Sequence, residues 1–474
     1  MISTSSPLAV QAGLWALDEG GTAVDAAIAT DAVLGVVEPF WTGIGGDAFC
    51  LVADGAEVVA FNGSGAAPSG LSLGACQAAS SDGTGLPDDS PLAVTVPGVV
   101  DAWSQLSERF GRLGLGRVLA PARQLASAGF PLGRQAARAW RAASARLRPG
   151  SPFPRVVRNG ERFANPGLAE GLDAIARGGR DAHYEGAWAN EAVRVVTEAG
   201  GVLGLEDLGQ HRGEWTVPIT GSYRGFEILQ HPPNGQGAAV LAALARLDRE
   251  PAGQLGAPST IAGLVAAARF GMELAHQHVC DPRAQAVPEF WSGRDTVYSA
   301  TVADGLGVSL ISSLFWQFGS GLVAAGAPLQ NRGQGFSLDP GHPNVAGPGK
   351  RPFHTIIPAM VRLDGRVWAV FGLVGGPMQP QGQVQVLSLL IDHGLDPQAA
   401  LDAPRARWLV DDLAALEGGL GADVAAALRA EGFEVMDRPL PSPELGAGQI
   451  IRIHEDGWLE GGADPRRDGV AFGR

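Results

Sequence analysis

The sequence predicts an α+β protein built as a four-layer αββα sandwich, with two sheets lying between two helical layers. Helical and strand patterns follow one another along the chain as helix, strand, helix, strand, helix, which is typical of such layered folds. Hydrophobic residues make up 45% of the chain, enough for a large core. The 68 glycines and 33 prolines show no repeating period, so they indicate many tight turns rather than a fibrous chain.

The first elements can be read from periodicity and turn residues. Residues 7–39 predict two helices, the first ending at Gly20-Gly21 and the second spanning residues 23–36. The second helix is small or apolar almost throughout, so we expect it to be buried on most sides. The segments AFCLVA and EVVAFN then predict two strands of a hairpin that turns at Asp54-Gly55.

The character of the chain changes near residue 296. Helical patterns dominate residues 97–251, and a long helix, TIAGLVAAARFGMELAHQH, is expected to end before Asp281-Pro282. Beyond residue 296, strands are predicted at TVYSATVA, GVSLISSLF and HTIIPAMVRLDGRVWAVFGLVGG. Helices return at QVQVLSLLIDHG and PQAALDAPRARWLV, and no internal repeat of fixed period is visible.

The charge balance and the absence of certain segments exclude several classes of protein. The chain carries 35 Lys and Arg against 49 Asp and Glu, a net charge of -14, which opposes nucleic-acid binding. We find no basic, apolar leader and no uninterrupted apolar run of membrane-spanning length. The three cysteines, Cys50, Cys76 and Cys280, are too few and too widely spaced for a disulfide framework. We therefore expect a cytoplasmic protein without membrane partners.

A metal site is not expected either. His276, His278 and Cys280 are close in sequence, but residues two apart on a helix point to nearly opposite sides. They cannot all face one ion, and we expect no metal or other cofactor.

Thr296 poses the main functional question. A threonine at the start of a strand suits β structure, because β-branched side chains pack well there. It could also be a nucleophile released by cleavage of the preceding bond. The motifs that follow distinguish this threonine from an ordinary one: FGSG, QNRG, KRPFHTIIP and GLVGGP.

Together with earlier motifs, this ordered set resembles the gamma-glutamyltransferase family of N-terminal-nucleophile hydrolases. The earlier motifs are GGTAVDAAIA, VVEP, GIGGDAF, TVPGVVDAW, HYEG, GGVLGLEDL, YRG and PPNGQG. Each alone is a common glycine turn, but their order over nearly the whole chain is specific. Within the family, the sequence is most similar to the branch that lacks the lid loop and includes oxamate amidohydrolases.

The resemblance implies a self-cleaving precursor. Its cut would fall between Asp295 and Thr296, giving a large subunit of residues 1–295 and a small one of residues 296–474. The two would be intertwined in one N-terminal-nucleophile hydrolase fold. The α-amine freed on Thr296 has an ordinary pKa of about 7.7–8.0, so it can act as a general base near neutral pH. An uncut, inert chain is the alternative.

The resemblance also implies two supporting features of the site. Gly375-Gly376 matches the glycine pair whose backbone N–H groups form the oxyanion hole, although a plain turn would use the same residues. Ser313 stands where the family has a threonine that hydrogen-bonds the nucleophile, and its alternative is an exposed strand serine.

The γ-glutamyl pocket of the family is not intact in this sequence. Ser64 replaces the arginine that binds the α-carboxylate, and Gly335 replaces the acid that binds the α-amine. Phe315 stands in place of an asparagine, and His354-Thr355 in place of two serines that usually contact the carboxylate in the family. Ser64, His354 and Thr355 are therefore candidates for contact with the substrate.

Other residues are candidates for substrate binding in their place. Arg332 could receive a carboxylate, or it could be either a surface arginine or one paired with Asp339. His354 could bind substrate or cap a turn, and Arg351 is a further candidate. Residues 336–352 are short for this family and lack the lid loop that covers the pocket in many members, which predicts a more open site.

Three functions remain open at this level. The first is a self-processing threonine amidohydrolase or acyltransferase. Its substrate would be a small-molecule amide whose acyl group is a small acid or a side-chain acyl group, not a γ-glutamyl group. The second is an ordinary γ-glutamyltransferase acting on glutathione, and the third is an uncut binding protein on the same scaffold. Beyond the two subunits of its own precursor, a homodimer is a further expectation.

Overall fold

The computed structural model of the chain describes residues 1–283 and 296–474. The helices in these ranges are α1 (Pro7–Asp18), α2 (Ala23–Val37), α3 (Leu73–Ala79), α4 (Val99–Phe110), α5 (Leu115–Val118), α6 (Ala120–Ala128), α7 (Arg134–Ala143), α8 (Pro166–Tyr184), α9 (Ala187–Glu198), α10 (Leu205–Gln210), α11 (Gly237–Leu247), α12 (Pro258–His278), α13 (Met378–Ile391), α14 (Pro397–Asp402) and α15 (Ala422–Ala430).

The strands are β1 (Ile2–Thr4), β2 (Asp47–Asp54), β3 (Glu57–Asn62), β4 (Phe130–Pro131), β5 (Arg162–Phe163), β6 (Glu214–Thr216), β7 (Ile219–Tyr223), β8 (Phe226–Gln230), β9 (Val297–Ala303), β10 (Leu306–Ser313), β11 (Val323–Ala324), β12 (Ala327–Pro328), β13 (Ala359–Leu363), β14 (Arg366–Val374), β15 (Ala406–Val410), β16 (Leu413–Glu417), β17 (Glu434–Arg438), β18 (Ala447–Ile453), β19 (Leu459–Ala463) and β20 (Val470–Phe472). Across the described ranges, no helix is both long and apolar enough to cross a membrane.

Two large antiparallel sheets form the centre of the fold. The first has the strand order β20-β1-β9-β10-β2-β3-β6, and the second has the order β19-β18-β14-β13-β8-β7. Each sheet combines strands that precede residue 284 with strands that follow residue 295. The two stretches of chain therefore share both sheets rather than forming separate bodies.

The layers can be recognised from which side chains pack together. In β2, Phe49 and Leu51 face the second sheet, where they pack with Met360 and Val370. The alternate residue Cys50 faces the helical layer on the other side of the first sheet. Because side chains alternate across a strand and both faces are covered, this strand is apolar along most of its length.

Helices complete the sandwich on both outer faces. α2 packs on β9 and β10 of the first sheet, and all of its residues are buried. On the second sheet, Val240 and Leu244 of α11 and Val384 of α13 pack against strand residues such as Phe371. The predicted αββα layering is confirmed, as are the two N-terminal helices and the hairpin of β2 and β3.

Candidate active site

Register in the first sheet places three polar residues, Thr296, Ser313 and Asp47, at the same end of neighbouring strands. Ser313 at the end of β10 pairs with Asp47 at the start of β2, and Ser312 pairs with Val297 of β9. Thr296 directly precedes β9, so it lies at the same end of these strands as Ser313. The Thr296 hydroxyl donates to Ser313 Oγ over 3.4 Å, and Thr296 is 1% exposed. The predicted partnership of these two hydroxyls is present in the geometry.

Gln379, in the first turn of α13, is the second contact of the Thr296 hydroxyl. Its Nε2 donates to Thr296 Oγ1 over 3.3 Å, while its Oε1 accepts the backbone N–H of Ile357 at 3.0 Å. Both contacts of Thr296 are longer than the usual hydrogen-bond distance. Sequence reasoning missed Gln379. The available signal was a glutamine at the start of an otherwise buried helix, directly after the Gly-Gly-Pro turn.

Gly375 and Gly376 form the turn between β14 and α13. Their φ angles are 119° and 58°, in a region that L residues rarely adopt. A Cβ on Gly375 would lie 3.0 Å from the Cα of Gly446, so the close approach of the two backbones also requires glycine. The turn stands at the N-terminus of α13, where backbone N–H groups are available to a negative charge.

Gln236 connects this turn to a predicted substrate-binding residue. Its Nε2 donates to the carbonyl of Gly376 at 2.9 Å and to the carbonyl of Thr355 at 2.6 Å. Gln236 is fully buried and immediately precedes α11. It lies in the PPNGQG motif, whose individual residues had been given no role.

Arg332 is neither a surface residue nor a partner of Asp339. It is fully buried, and its Nη1 donates to Thr355 Oγ1 over 3.1 Å. Its guanidinium carbon lies 4.3 Å from the ring centroid of Phe315, a cation–π contact. Phe315 has a φ of 77°, an uncommon and costly conformation for a bulky residue. The residue that replaces the expected asparagine therefore supports the arginine.

Two donor atoms of Arg332, Nε and Nη2, have no hydrogen-bond partner. Burial lowers the pKa of Arg332 to about 9, and the charge of Asp47 opposes that lowering. The guanidinium is thus charged at neutral pH and has donors to offer. Unpaired buried donors are costly, and they are often found where a ligand supplies the acceptor.

Asp47 is held by four donors. Its Oδ1 accepts the N–H groups of Gly65 and Gly98, both at 3.1 Å, and Nε2 of Gln330 at 2.9 Å. Its Oδ2 accepts from His354 Nε2 at 3.2 Å. Burial raises the pKa of Asp47 to about 7, although Arg332 and these hydrogen bonds favour the ionised form.

His354 does not offer a free nitrogen to substrate, contrary to one of the two expectations. Its Nδ1 accepts the N–H of Ile356 at 3.3 Å, so the ring proton is on Nε2 and points to Asp47. Burial and the nearby charge of Arg332 lower the pKa of His354 well below its usual range. The neutral ring lies against Phe49, with ring centroids 4.6 Å apart. His354 is therefore a support for Asp47.

Ser64 and Arg351 are also occupied by protein partners. Ser64 Oγ donates to Asn62 Oδ1 at 2.9 Å and lies 3.3 Å from Asn234 Oδ1. Arg351 Nη1 donates to Glu214 Oε2 at 2.9 Å, and this arginine lines a different cavity from the one that Gly375 borders. Among the predicted substrate residues, only Arg332 and Thr355 are joined to the glycine turn by the contacts described above. Asp295 lies outside the described residues.

The short segment of residues 336–352 folds back on the protein. Phe336, Leu338 and Ala346 pack in an apolar cluster with residues such as Leu71. Thr296 is nevertheless buried in this single chain. The expectation of a more open site stays a prediction.

Comparisons with known proteins show which family the chain is similar to. The family model described as gamma-glutamyltranspeptidase matches residues 9–294 and 291–473. The chain is 35% identical to a glutathione hydrolase-like YwrD proenzyme of Bacillus subtilis, over 100% of this chain and 98% of that protein. It is also 35% identical to an oxamate amidohydrolase proenzyme of Klebsiella pneumoniae, over 98% and 97%. The crystal structure of a cephalosporin acylase from Bacillus halodurans superposes with a TM-score of 0.92 and 37% identity, covering 99% of this chain and 94% of that one.

Proposed function

Since this chain belongs to the gamma-glutamyltranspeptidase family, we propose that it is a self-processing amidase whose nucleophile is Thr296. The chain is an N-terminal-nucleophile hydrolase, as its proenzyme relatives are. In the processing step, the Thr296 hydroxyl attacks the carbonyl carbon of Asp295, and the peptide C–N bond breaks as an ester forms. Water then hydrolyses the ester, leaving residues 1–295 and a new chain that begins with Thr296.

Amide hydrolysis uses the same hydroxyl. The freed α-amine of Thr296 takes the hydroxyl proton as the oxygen attacks the amide carbonyl. The turn at Gly375-Gly376 supplies backbone N–H groups to the resulting oxyanion. The amine leaves with a proton, and water hydrolyses the acyl-enzyme ester. Ser313 and Gln379 hold the hydroxyl in place through both steps.

The acyl group we propose carries a carboxylate and no α-ammonium. The observation that carries this proposal is the fully buried Arg332 with two unpaired donor atoms. A carboxylate can accept from such a guanidinium, often through two hydrogen bonds. An ammonium beside it would need an anion, but Gly335 provides none and Asp47 is already taken by four protein donors.

A pair of matched substrates tests this specificity. Glutaryl-4-nitroanilide and L-γ-glutamyl-4-nitroanilide differ only in the α-ammonium group. We expect kcat/KM to be more than about tenfold higher for the glutaryl amide, because the extra cation is unpaired near Arg332. Arg332→Met should abolish most of that advantage. Arg351→Met is the control, since it removes another buried arginine that is paired with Glu214.

The opposite result would indicate the ordinary γ-glutamyl activity of the family. Efficient release of nitroaniline from the γ-glutamyl substrate, together with cleavage of glutathione and indifference to Arg332→Met, would contradict the proposed acyl specificity.

A further inference from the structure

The pairing of β13 with β14 ends before the two chains reach the site. The last pair at that end of their register is Ala359 with Phe371, while Thr355 precedes β13 and Gly376 follows β14. The side chain of Gln236 joins the two chains there, since its Nε2 donates to the carbonyl of Thr355 at 2.6 Å and to that of Gly376 at 2.9 Å. A side-chain amide thus holds the two backbones together where the ladder has ended.

Gln236 is also linked to Arg332, the residue proposed to bind the acyl carboxylate. Thr355, whose carbonyl Gln236 holds, accepts from Arg332 Nη1 through its Oγ1 over 3.1 Å. Three consecutive contacts therefore connect the carbonyl of Gly376 with the guanidinium group of Arg332. Gln236 and Arg332 are fully buried and Thr355 is 2% exposed. Hydrogen bonds so far from water are strengthened by the low local dielectric constant.

The loop before α11 holds Gln236 in place. The carbonyl of Asn234 accepts the backbone N–H of His354 at 2.9 Å, and Asn234 Nδ2 donates to the carbonyl of Pro352 at 2.6 Å. The Gln236 amide has one orientation, because its nitrogen can donate to two carbonyls and its oxygen cannot. That oxygen has no hydrogen-bond partner among the described residues. The two donated bonds are therefore the contacts through which this amide acts on the site.

We propose that Gln236 is a specificity-determining residue: it fixes the distance between the glycine turn and Arg332 and so selects the chain length of the acyl group. The inference rests on the proposed function, which assigns the substrate carbonyl to the turn and its carboxylate to Arg332. Each added CH₂ lengthens an extended acyl chain by about 1.3 Å, whereas an N–H···O hydrogen bond keeps its usual length within about 0.5 Å. A chain one carbon too short or too long cannot satisfy both ends at a fixed spacing.

A series of diacid anilides measures this selection. The substrate class is the monoamide of a straight-chain dicarboxylic acid of one length, and succinyl-, glutaryl- and adipyl-4-nitroanilide differ by one CH₂ at each step. We expect kcat/KM of one of them to exceed that of the other two by about tenfold, as a single methylene group typically contributes. Gln236→Met should bring the three values close together, because the side chain keeps its volume but releases both carbonyls.

A fourth substrate separates this role from general damage to the site. Pentanoyl-4-nitroanilide carries a methyl group in place of the carboxylate of glutaryl-4-nitroanilide. Gln236→Met should keep the preference for the glutaryl amide over the pentanoyl one, because Arg332 is still present, whereas Arg332→Met should lose that preference. If Gln236→Met lowered turnover of all four anilides by the same factor and left the length preference intact, its role would be merely structural and the proposal would be overturned.

Gln230→Met is the matched control. Gln230 of β8 is another fully buried glutamine, and its Nε2 donates to Gln383 Oε1 at 2.6 Å, so its replacement should keep the wild-type length preference. If Gln236→Met does not fold, Thr355→Val breaks the same series of contacts at Arg332 and should lose the preference, while Thr355→Ser retains the hydroxyl and should keep it. Equal kcat/KM for the three lengths in the wild type, or a preference that survives in Thr355→Val, overturns the proposal.

Calorimetry with the free diacids separates failure of this inference from failure of the proposed function. Succinate, glutarate and adipate each carry one carboxylate for Arg332 and a second for the N–H groups of the glycine turn. If no anilide is cleaved, the proposed function fails, yet a length preference in diacid binding that Gln236→Met removes still supports the fixed spacing. Without turnover, equal binding of the three diacids, or binding of none, overturns the role of Gln236. With turnover, the anilide ratios decide it.

Discussion

The side-chain amide of Gln379 donates to the hydroxyl of Thr296 over 3.3 Å, joining the first turn of α13 to the residue that precedes β9. The same amide accepts the backbone N–H of Ile357 at 3.0 Å, so its orientation is set from both ends. The Thr296 hydroxyl lies between this donor and Ser313 Oγ. A helix and two strands thus define the position of one oxygen atom.

Gln379→Met should impair both self-cleavage and amide turnover. The substitution keeps a similar side-chain volume but removes the donor to Thr296 and leaves the Ile357 N–H without its acceptor. We expect kcat to fall about tenfold with little change in KM, because the lost contact positions the proposed nucleophile and not the substrate.

Gln385→Met is the control on the same helix. Gln385 is buried and exchanges two hydrogen bonds with the backbone of Ala406, at 2.8 and 3.0 Å, away from Thr296. Both variants should lose stability by a similar amount in thermal unfolding. If Gln385→Met slowed turnover as much as Gln379→Met, the effect would come from the helix rather than from Thr296.

Thr296→Ala should remain a single chain on a denaturing gel and show no amide hydrolysis, since it lacks the attacking oxygen. Thr301→Ala, in the strand β9 that Thr296 precedes, removes another buried threonine hydroxyl and should still be cut. Intact-mass measurement of the wild type should give two chains divided between Asp295 and Thr296. Cleavage of Thr296→Ala at that bond would assign the nucleophile elsewhere.

Gly376→Ala should reduce kcat about 10²-fold in a protein that still folds, because a Cβ at a φ of 58° displaces the N–H donors of the turn. Gly394→Ala provides the comparison, since Gly394 has a φ of 65° and nothing within 4 Å of its Cβ position. Steady-state kinetics with glutaryl-4-nitroanilide measure both. Full activity of a processed Gly376→Ala enzyme would exclude this turn as the oxyanion site.

Asp47 should make the stability of the protein depend on pH. Burial raises its pKa from 3.8 to about 7, so between these values the folded chain holds a proton that the unfolded chain releases. The stabilisation is therefore fully present below pH 3.8 and is lost as the pH rises through about 7. Asp47→Asn should remove this pH-dependent contribution to stability. The Tm of the wild type should therefore fall relative to that of the variant between pH 5 and pH 8. Asp402→Asn, at an exposed aspartate, should show no such divergence.

Much of the fold followed from local patterns along the chain. The apolar composition of residues 23–36 predicted α2 as a buried helix, and Asp54-Gly55 predicted the turn of the first hairpin. These predictions held because periodicity and turn chemistry are local properties. The ordered glycine motifs likewise identified the family, as the comparisons confirmed.

The sequence by itself thus determined the layers, the family and the residues around which a site was proposed: Thr296, Ser313 and the Gly375-Gly376 pair. Only the tertiary structure decided which candidates remain available to substrate. It buried Arg332 against Phe315 and left two of its donor atoms without partners, while it directed His354 to Asp47 and Arg351 to Glu214. It also brought Gln379 of α13 to Thr296, and Gln236, the residue before α11, to Gly376 and Thr355. Hydrogen-bond partners far apart in sequence are chosen by packing and burial, and no local pattern in the chain carries that information.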